Sequence, residues 1–145
     1  MSYLTVYNNL NGNEGFEERP YKDNLGFWTI GFGFKMADLW IPKDIAELLL
    51  MRYVMKYWQE AFKQYPWLVE MPPIIQDTVV EMCYQMGVYI PGPGGFDDFD
   101  GTIAHLKSRE WEDAAQHIEK SLMAQQTPNR AKWYASQIRK AKNDT

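Results

Sequence analysis

Cysteine and histidine are scarce in this chain, and their scarcity excludes several kinds of site. Cys83 is the single cysteine among 145 residues, so neither an internal disulfide framework nor a zinc–thiolate site can form. Cys83 lies in a helical run, and we interpret it as a small buried hydrophobic residue rather than a nucleophile. His105 and His117 fall in separate helical segments with no cysteine nearby. We therefore expect no metal site and no cofactor.

Long apolar runs are also missing. The most hydrophobic stretch, residues 45–58, is interrupted by Glu47, Arg52 and Lys56, so it does not predict a membrane span. Residues 1–9 have no basic region followed by an apolar core, which is the pattern of a signal peptide. We expect the chain to accumulate in the cytoplasm where it is made.

An excess of positive charge is absent as well. The net charge is −4, with −7 on residues 1–104 and +3 on residues 105–145. Proteins that bind nucleic acid broadly are usually clearly basic, so the acidic part of the chain argues against a nucleic-acid partner. The basic C-terminal third is more simply interpreted as a solvated helix face.

Apolar and turn-forming residues are plentiful, and their order predicts an α+β fold. Hydrophobic residues make up 46% of the chain, which is enough for the core of one domain. Residues 21–34 combine the turn residues Asn24 and Gly26 with alternating apolar positions, a pattern typical of a β-hairpin.

Helical periodicity and proline positions indicate the elements that follow. A long helix is predicted over residues 42–65, since Pro42 suits a first helical position and Pro66 stops the helix. Further helices are predicted over 74–86, 102–107, 112–123 and 128–142, with a Gly-Pro-rich loop from Val88 to Gly95 and Thr127 as the N-cap of the last helix.

Two carboxylates near the hairpin have the spacing that glycoside hydrolysis needs. Glu14 precedes the hairpin and Asp23 ends its first strand, so folding can set them on two sides of a cleft. Hydrolysis needs one protonated carboxyl group, which donates a proton to the leaving oxygen, and one ionised carboxylate, which activates the attacking water. Glu17 and Glu18 are equally available on composition alone, so the residue pattern by itself leaves the choice open.

Ordered motifs surround the two carboxylates. The chain has Glu14-Gly15, then Tyr21-Lys22-Asp23, then Gly26-Phe27-Trp28-Thr29-Ile30-Gly31-Phe32-Gly33. These blocks resemble the catalytic signature of phage lysozymes of glycoside hydrolase family 24, of the T-even type. The family pattern is Glu-Gly, then Tyr-x-Asp, then Gly-x-x-Thr-Ile-Gly-x-Gly-His. Later blocks that resemble the family in the same order are Ile41 to Glu47, Met82 to Gly87, Trp111 to Ala115 and Gln126 to Lys132.

The resemblance implies a catalytic centre and a substrate. Glu14 would be the general acid, Asp23 would position or deprotonate the attacking water, and Thr29 would help to hold that water. Similar enzymes invert the anomeric centre of the β-1,4 bond between N-acetylmuramic acid and N-acetylglucosamine. The resemblance also implies six substrate contacts: Tyr84, Gln85, Thr102, His117, Asn129 and Arg130. For Tyr84 and Arg130, a structural role is the alternative.

The resemblance also implies an organisation and a biological setting. We predict one lysozyme-like domain, with a small lobe at 14–41, a linking helix at 42–65 and a helical lobe at 72–145 joined by the N-terminal segment. The expected role is that of a monomeric endolysin, which reaches peptidoglycan after a partner such as a holin opens the membrane.

One departure from the family pattern and several rival functions stay open at this level. The family histidine after Gly-x-Gly is Phe34 here. A tail-associated or effector lysozyme, a catalytically silent cell-wall-binding module, and a transglycosylase outcome are the alternatives.

Overall fold

A computed structural model describes residues 2–87 and 94–144 of the chain. Most of the predicted loop from Val88 to Gly95, residues 88–93, lies outside the described residues. Backbone contacts divide the chain into two units, Met1–Ala46 and Glu47–Thr145. The predicted lobe boundaries stay a prediction.

The first unit combines one helix with a small antiparallel sheet. Helix α1 (Tyr3–Asn13) is followed by strands β1 (Glu17–Lys22), β2 (Trp28–Gly31) and β3 (Phe34–Lys35), in the spatial order β1-β2-β3. In β1–β2, Tyr21 lies opposite Thr29, and in β2–β3, Thr29 lies opposite Lys35. Thr29 is therefore in the central strand, paired on both sides.

Glycines close the β2–β3 turn because the backbone there is left-handed. Gly31 has φ 67° and Gly33 has φ 75°, values that residues with a Cβ rarely adopt. The turn ends β2 at Gly31, so Phe32 lies outside the strand. A 3-10 turn, Met36–Asp38, follows β3.

The described residues after Pro42 are mainly helical. Helix α2 (Lys43–Gln64) begins in the first unit and ends before Pro66, in agreement with the predicted 42–65. The later helices are α3 (Pro73–Met86), α4 (Asp100–Lys107), α5 (Trp111–Glu119), α6 (Leu122–Gln126) and α7 (Pro128–Lys140). Among the residues that the structure describes, no helix is both long and apolar enough to cross a bilayer.

The core of the second unit forms where α3, α5 and α7 pack together. The buried residues of α5 and α7 recur at intervals of three, one and three, which is one face of a helix. They are Trp111, Ala114, Ala115 and Ile118 in α5, and Ala131, Tyr134, Ala135 and Ile138 in α7. Phe96 and Ile75 are completely buried with them. The α+β, mainly helical class predicted from the sequence is confirmed.

Two predictions for the first unit need correction. No helix is predicted before Pro42, yet α1 forms, with the Ser2 hydroxyl accepting a hydrogen bond from the amide of Thr5 at 3.3 Å. Its Asn- and Gly-rich sequence has low helix propensity and buries no residue, so periodicity gives no signal. The predicted hairpin gains a third strand, β3, which at two residues is too short to recognise from alternation.

The predicted helix 112–123 is in fact two helices. Thr127 is the N-cap residue of α7, as predicted, but its side chain makes no cap hydrogen bond. The chain breaks after α5 because the Ser121 hydroxyl donates to the carbonyl of Ile118 at 2.6 Å, competing with the helical backbone bond. The Thr127 hydroxyl donates instead to the carbonyl of Met123 at 3.1 Å. Pro128 does occupy the start of α7, as predicted.

Candidate active site

Asp23 is held at the start of the β1–β2 turn by the turn itself. Its Oδ1 atom accepts hydrogen bonds from the amides of Leu25 at 2.9 Å and Phe27 at 2.8 Å. This is the local side-chain-to-backbone bonding that makes aspartate a frequent turn residue. Within residues 2–87 and 94–144, the other oxygen, Oδ2, has no hydrogen-bond partner. One oxygen is therefore fixed while the other is free to accept a bond from water.

Thr29 and Asp23 are connected through the backbone of Phe27. The Phe27 carbonyl accepts a bond from the Thr29 hydroxyl and another from the Asp23 amide, both at 2.9 Å. Thr29 is almost completely buried, whereas Asp23 is partly exposed. Because the Thr29 hydroxyl uses its proton on this carbonyl, its oxygen remains an acceptor. The turn thus fixes the relative position of two predicted site residues.

Glu14 ends α1, and its carboxylate lies against the β2–β3 turn. The Glu14 amide bonds the carbonyl of Leu10 at 2.8 Å, and its backbone then becomes extended. A Cβ placed on Gly33 would lie 3.0 Å from Glu14 Oε2 and 3.6 Å from Cδ. The bare α-carbon of Gly33 therefore makes room for the carboxylate. Gly33 was not predicted from the sequence as part of the candidate site, although its Gly-x-Gly motif was the available signal.

Aromatic rings flank this part of the first unit. The Phe16 and Phe32 rings lie 5.0 Å apart, and the Phe32 and Phe34 rings meet edge to face at 6.5 Å. The Phe34 ring also packs on Gly31, where an added Cβ would lie 2.9 Å from it. Phe34, which replaces the family histidine, is thus part of an aromatic cluster. The predicted catalytic residues Glu14, Asp23 and Thr29 and this cluster all belong to the first unit.

The phage lysozyme family model matches residues 11–133 of the chain. The chain belongs to the phage lysozyme family. The match begins before Glu14 and continues into α7, so it includes the three predicted catalytic residues and all six predicted binding residues. Membership in the family means that the chain is a lysozyme-type glycosidase whose substrate is peptidoglycan.

Three of the predicted binding residues line one groove of the second unit. Gln85, Asn129 and Arg130 border a depression of about 550 Å³ together with Trp133 and Glu81. The Trp133 indole donates to Glu81 at 3.0 Å, which fixes one edge of the groove. These exposed groups offer hydrogen-bond donors and acceptors beside an aromatic ring, a mixture that suits an amide-bearing sugar or peptide.

Arg130 also borders a second groove, of about 400 Å³, that contains His117. The His117 Nδ1 atom is 3.2 Å from the hydroxyl of Thr102. Thr102 is completely buried, so it positions His117 and offers no surface of its own. Gly101 allows this arrangement, because a Cβ there would lie 2.3 Å from His117 Nε2.

Tyr84 and Cys83 are neighbours in α3 with different environments. Tyr84 is 40% exposed, and its ring meets that of Tyr57 edge to face at 5.7 Å. Cys83 is completely buried, and burial raises the pKa of its thiol to about 12. The interpretation of Cys83 as a buried hydrophobic residue is therefore confirmed.

Proposed function

We propose that this phage lysozyme hydrolyses the β-1,4 bond between N-acetylmuramic acid and N-acetylglucosamine with inversion at the anomeric carbon. Glu14 is the general acid and Asp23 the general base, with Thr29 holding the attacking water. The observation that carries the proposal is the divided role of the Asp23 carboxylate, with Oδ1 held by two amides and Oδ2 available to water. Family membership supports the choice of substrate.

The proposed reaction is a single displacement. Glu14 gives its proton to the glycosidic oxygen as the C–O bond breaks, and positive charge develops on the sugar ring. Asp23 Oδ2 takes a proton from a water that attacks the anomeric carbon from the opposite face. Inverting glycosidases separate their two carboxyl groups by about 6.5–9.5 Å to leave room for that water. The products are a new reducing end and the hydroxyl of the leaving sugar. Glu14 is left ionised and Asp23 protonated, and proton exchange with solvent restores the starting state.

The groups of the second unit are proposed to bind the polymer rather than to react. Gln85, Asn129 and Arg130 offer amide and guanidinium hydrogen bonds in one groove, and His117 offers its ring in the other. Tyr84 presents an exposed aromatic face of the kind on which sugar rings pack. Thr102 contributes by holding His117 in place.

The proposed biological role is host-cell lysis by a monomeric endolysin. The chain would be made in the host cytoplasm and would act on the periplasmic wall after membrane permeabilisation, with a holin as functional partner. A tail-associated lysozyme is the rival setting. If the protein copurifies with intact virions, the endolysin role is wrong.

The decisive experiment measures the rate at which purified peptidoglycan is cleared by the wild type and by three variants, Glu14→Gln, Asp23→Asn and Glu18→Gln. We expect Glu14→Gln and Asp23→Asn to lose about 100-fold or more in rate, because each removes one half of the acid–base pair. Glu18 is an exposed acid of β1 and is the matched control, which should clear at the wild-type rate.

Product analysis separates the proposed reaction from its alternatives. Mass spectrometry should find reducing N-acetylmuramic acid ends, and NMR of fresh products should find the inverted anomer. Anhydromuramic ends would show a transglycosylase, and a retained anomer would exclude the single displacement. A folded wild type that binds peptidoglycan without cleaving it would favour a silent binding module.

A further inference from the structure

The turn between α4 and α5 gathers three side chains that can bind a metal ion. His105 lies in the last turn of α4, and Glu110 and Asp113 lie at the start of α5. One ligand atom from each of the three residues lies within 4.8 Å of the other two. None of these residues belongs to the proposed catalytic site, and none of the three is predicted from the sequence as a metal ligand.

The backbone of this turn is fixed at several points. The Glu110 amide bonds the carbonyl of His105 at 2.9 Å, which ties the two ligand-bearing residues together. Arg109, between the helices, has a left-handed φ of 60°. Its guanidinium donates to the carbonyl of Glu70 at 2.7 Å, which anchors the turn to a neighbouring segment. The positions of His105 and Glu110 are therefore set by the fold.

Helix geometry brings in the third residue. Asp113 is three residues after Glu110, so both carboxylates lie on the same side of the first turn of α5. The His105 Nδ1 atom is already 2.9 Å from Glu110 Oε2. About one-third of the His105 side chain and half of the Glu110 side chain are exposed, so an ion can reach them from solvent.

We propose that His105, Glu110 and Asp113 form a binding site for a divalent transition-metal ion of the zinc type. An imidazole nitrogen with two carboxylates is a donor set that Zn²⁺ accepts, whereas Ca²⁺ and Mg²⁺ prefer oxygen alone. The ion replaces the proton between His105 and Glu110. The Asp113 carboxylate supplies the third ligand, and water completes the coordination. The expectation of no metal site considered only cysteine and histidine partners and overlooked these carboxylates.

The other histidine is nearby but differently engaged, which makes it a matched control. The His105 and His117 rings are 5.9 Å apart. His117 Nδ1 faces the Thr102 hydroxyl, and its Nε2 packs against Gly101. Both ring nitrogens of His117 thus have other neighbours, and His117 is not part of the three-residue cluster.

Isothermal titration of the tag-free, chelator-treated full chain with ZnCl₂ tests the proposal. The wild type should bind one Zn²⁺ per chain, and CaCl₂ should give no saturable binding. His105→Gln and Asp113→Asn should each weaken Zn²⁺ binding by about tenfold or more, since each removes a ligand. His117→Gln, and Asp77→Asn as an exposed acid on α3, should bind as the wild type does.

Imidazole NMR of the wild type gives a second, residue-specific readout, and circular dichroism checks that each variant is folded. Zn²⁺ should shift the His105 ring resonances before those of His117. The proposal is overturned if Zn²⁺ does not saturate a single site or if Ca²⁺ binds as well. Equal or greater loss in His117→Gln than in His105→Gln would also overturn it.

Discussion

Gly33→Ala is the substitution that most directly tests the placement of Glu14. The new methyl group would lie 3.0 Å from Glu14 Oε2, so the carboxylate must retreat by a few tenths of an ångström. The backbone at φ 75° adds strain of about 1–2 kcal/mol for a residue with a Cβ. We therefore expect a loss of stability together with a displacement of Glu14, the proposed general acid.

Gly26→Ala is the matched control for backbone strain. Gly26 has φ 84°, and a Cβ there meets nothing within 4 Å. Both variants should lose about 1–2 kcal/mol in urea unfolding because both carry a left-handed alanine. A shift of about 1 Å in a catalytic group can cost 100-fold in rate. The smaller displacement in Gly33→Ala should lower peptidoglycan clearance about 3- to 10-fold below Gly26→Ala, per folded molecule.

A double-mutant cycle isolates the contact from the strain. In a Glu14→Ala background the carboxylate is gone, so Gly33→Ala should cost no more stability than Gly26→Ala costs. If the two glycine variants clear peptidoglycan equally well when fully folded, the Glu14 carboxylate is not acting from its position against Gly33, and the reasoning fails.

Three further predictions follow from other contacts. Thr29→Val should lower the free energy of unfolding, measured in urea, by about 1 kcal/mol, because the hydrogen bond to the Phe27 carbonyl is lost. The variant should also clear peptidoglycan more slowly, and full activity would exclude a role of Thr29 in holding water. Hydrogen bonding from Arg139 lowers the pKa of Glu112 from 4.5 to about 2, so this pair contributes stability above pH 4.5 that is lost as the pH falls toward 2. Arg139→Gln should lose less stability than the wild type over that pH range. The measurement is the urea midpoint from pH 7 to 2, and the same pH dependence in both proteins would contradict the prediction. Cys83 should react with a thiol reagent at pH 8 only as the chain opens, so its rate should rise with urea; rapid labelling of the native chain would show that the thiol is accessible.

Signals confined to a few neighbouring residues predicted most of the elements correctly. Pro66 ends α2 and Pro128 begins α7, because a proline ring and its missing amide act on the adjacent turn wherever the chain goes. Asn24 and Gly26 mark the β1–β2 turn in the same local way. By contrast, α1 and the two-residue β3 have neither periodicity nor length, and the sequence did not predict them.

Residue types and motif spacing in the sequence predict the residues of the candidate site, and their catalytic roles stay a prediction. Glu14, Asp23 and Thr29 were identified through their motif, and the family match over residues 11–133 includes them. The support around them was not predictable in the same way. The sequence does not predict that the Phe27 carbonyl accepts hydrogen bonds from both Asp23 and Thr29, because a shared backbone acceptor depends on the geometry of the turn.

The sequence by itself determined the helical periods, the turn residues and the motifs of a phage lysozyme, since these depend on side-chain chemistry and on backbone preferences over a few residues. Only the tertiary structure decided which groups meet across a turn. It set Gly33 beneath the Glu14 carboxylate and brought His105 to Glu110. Such contacts depend on how each turn is folded in three dimensions, because a small displacement decides whether two groups form a hydrogen bond or clash.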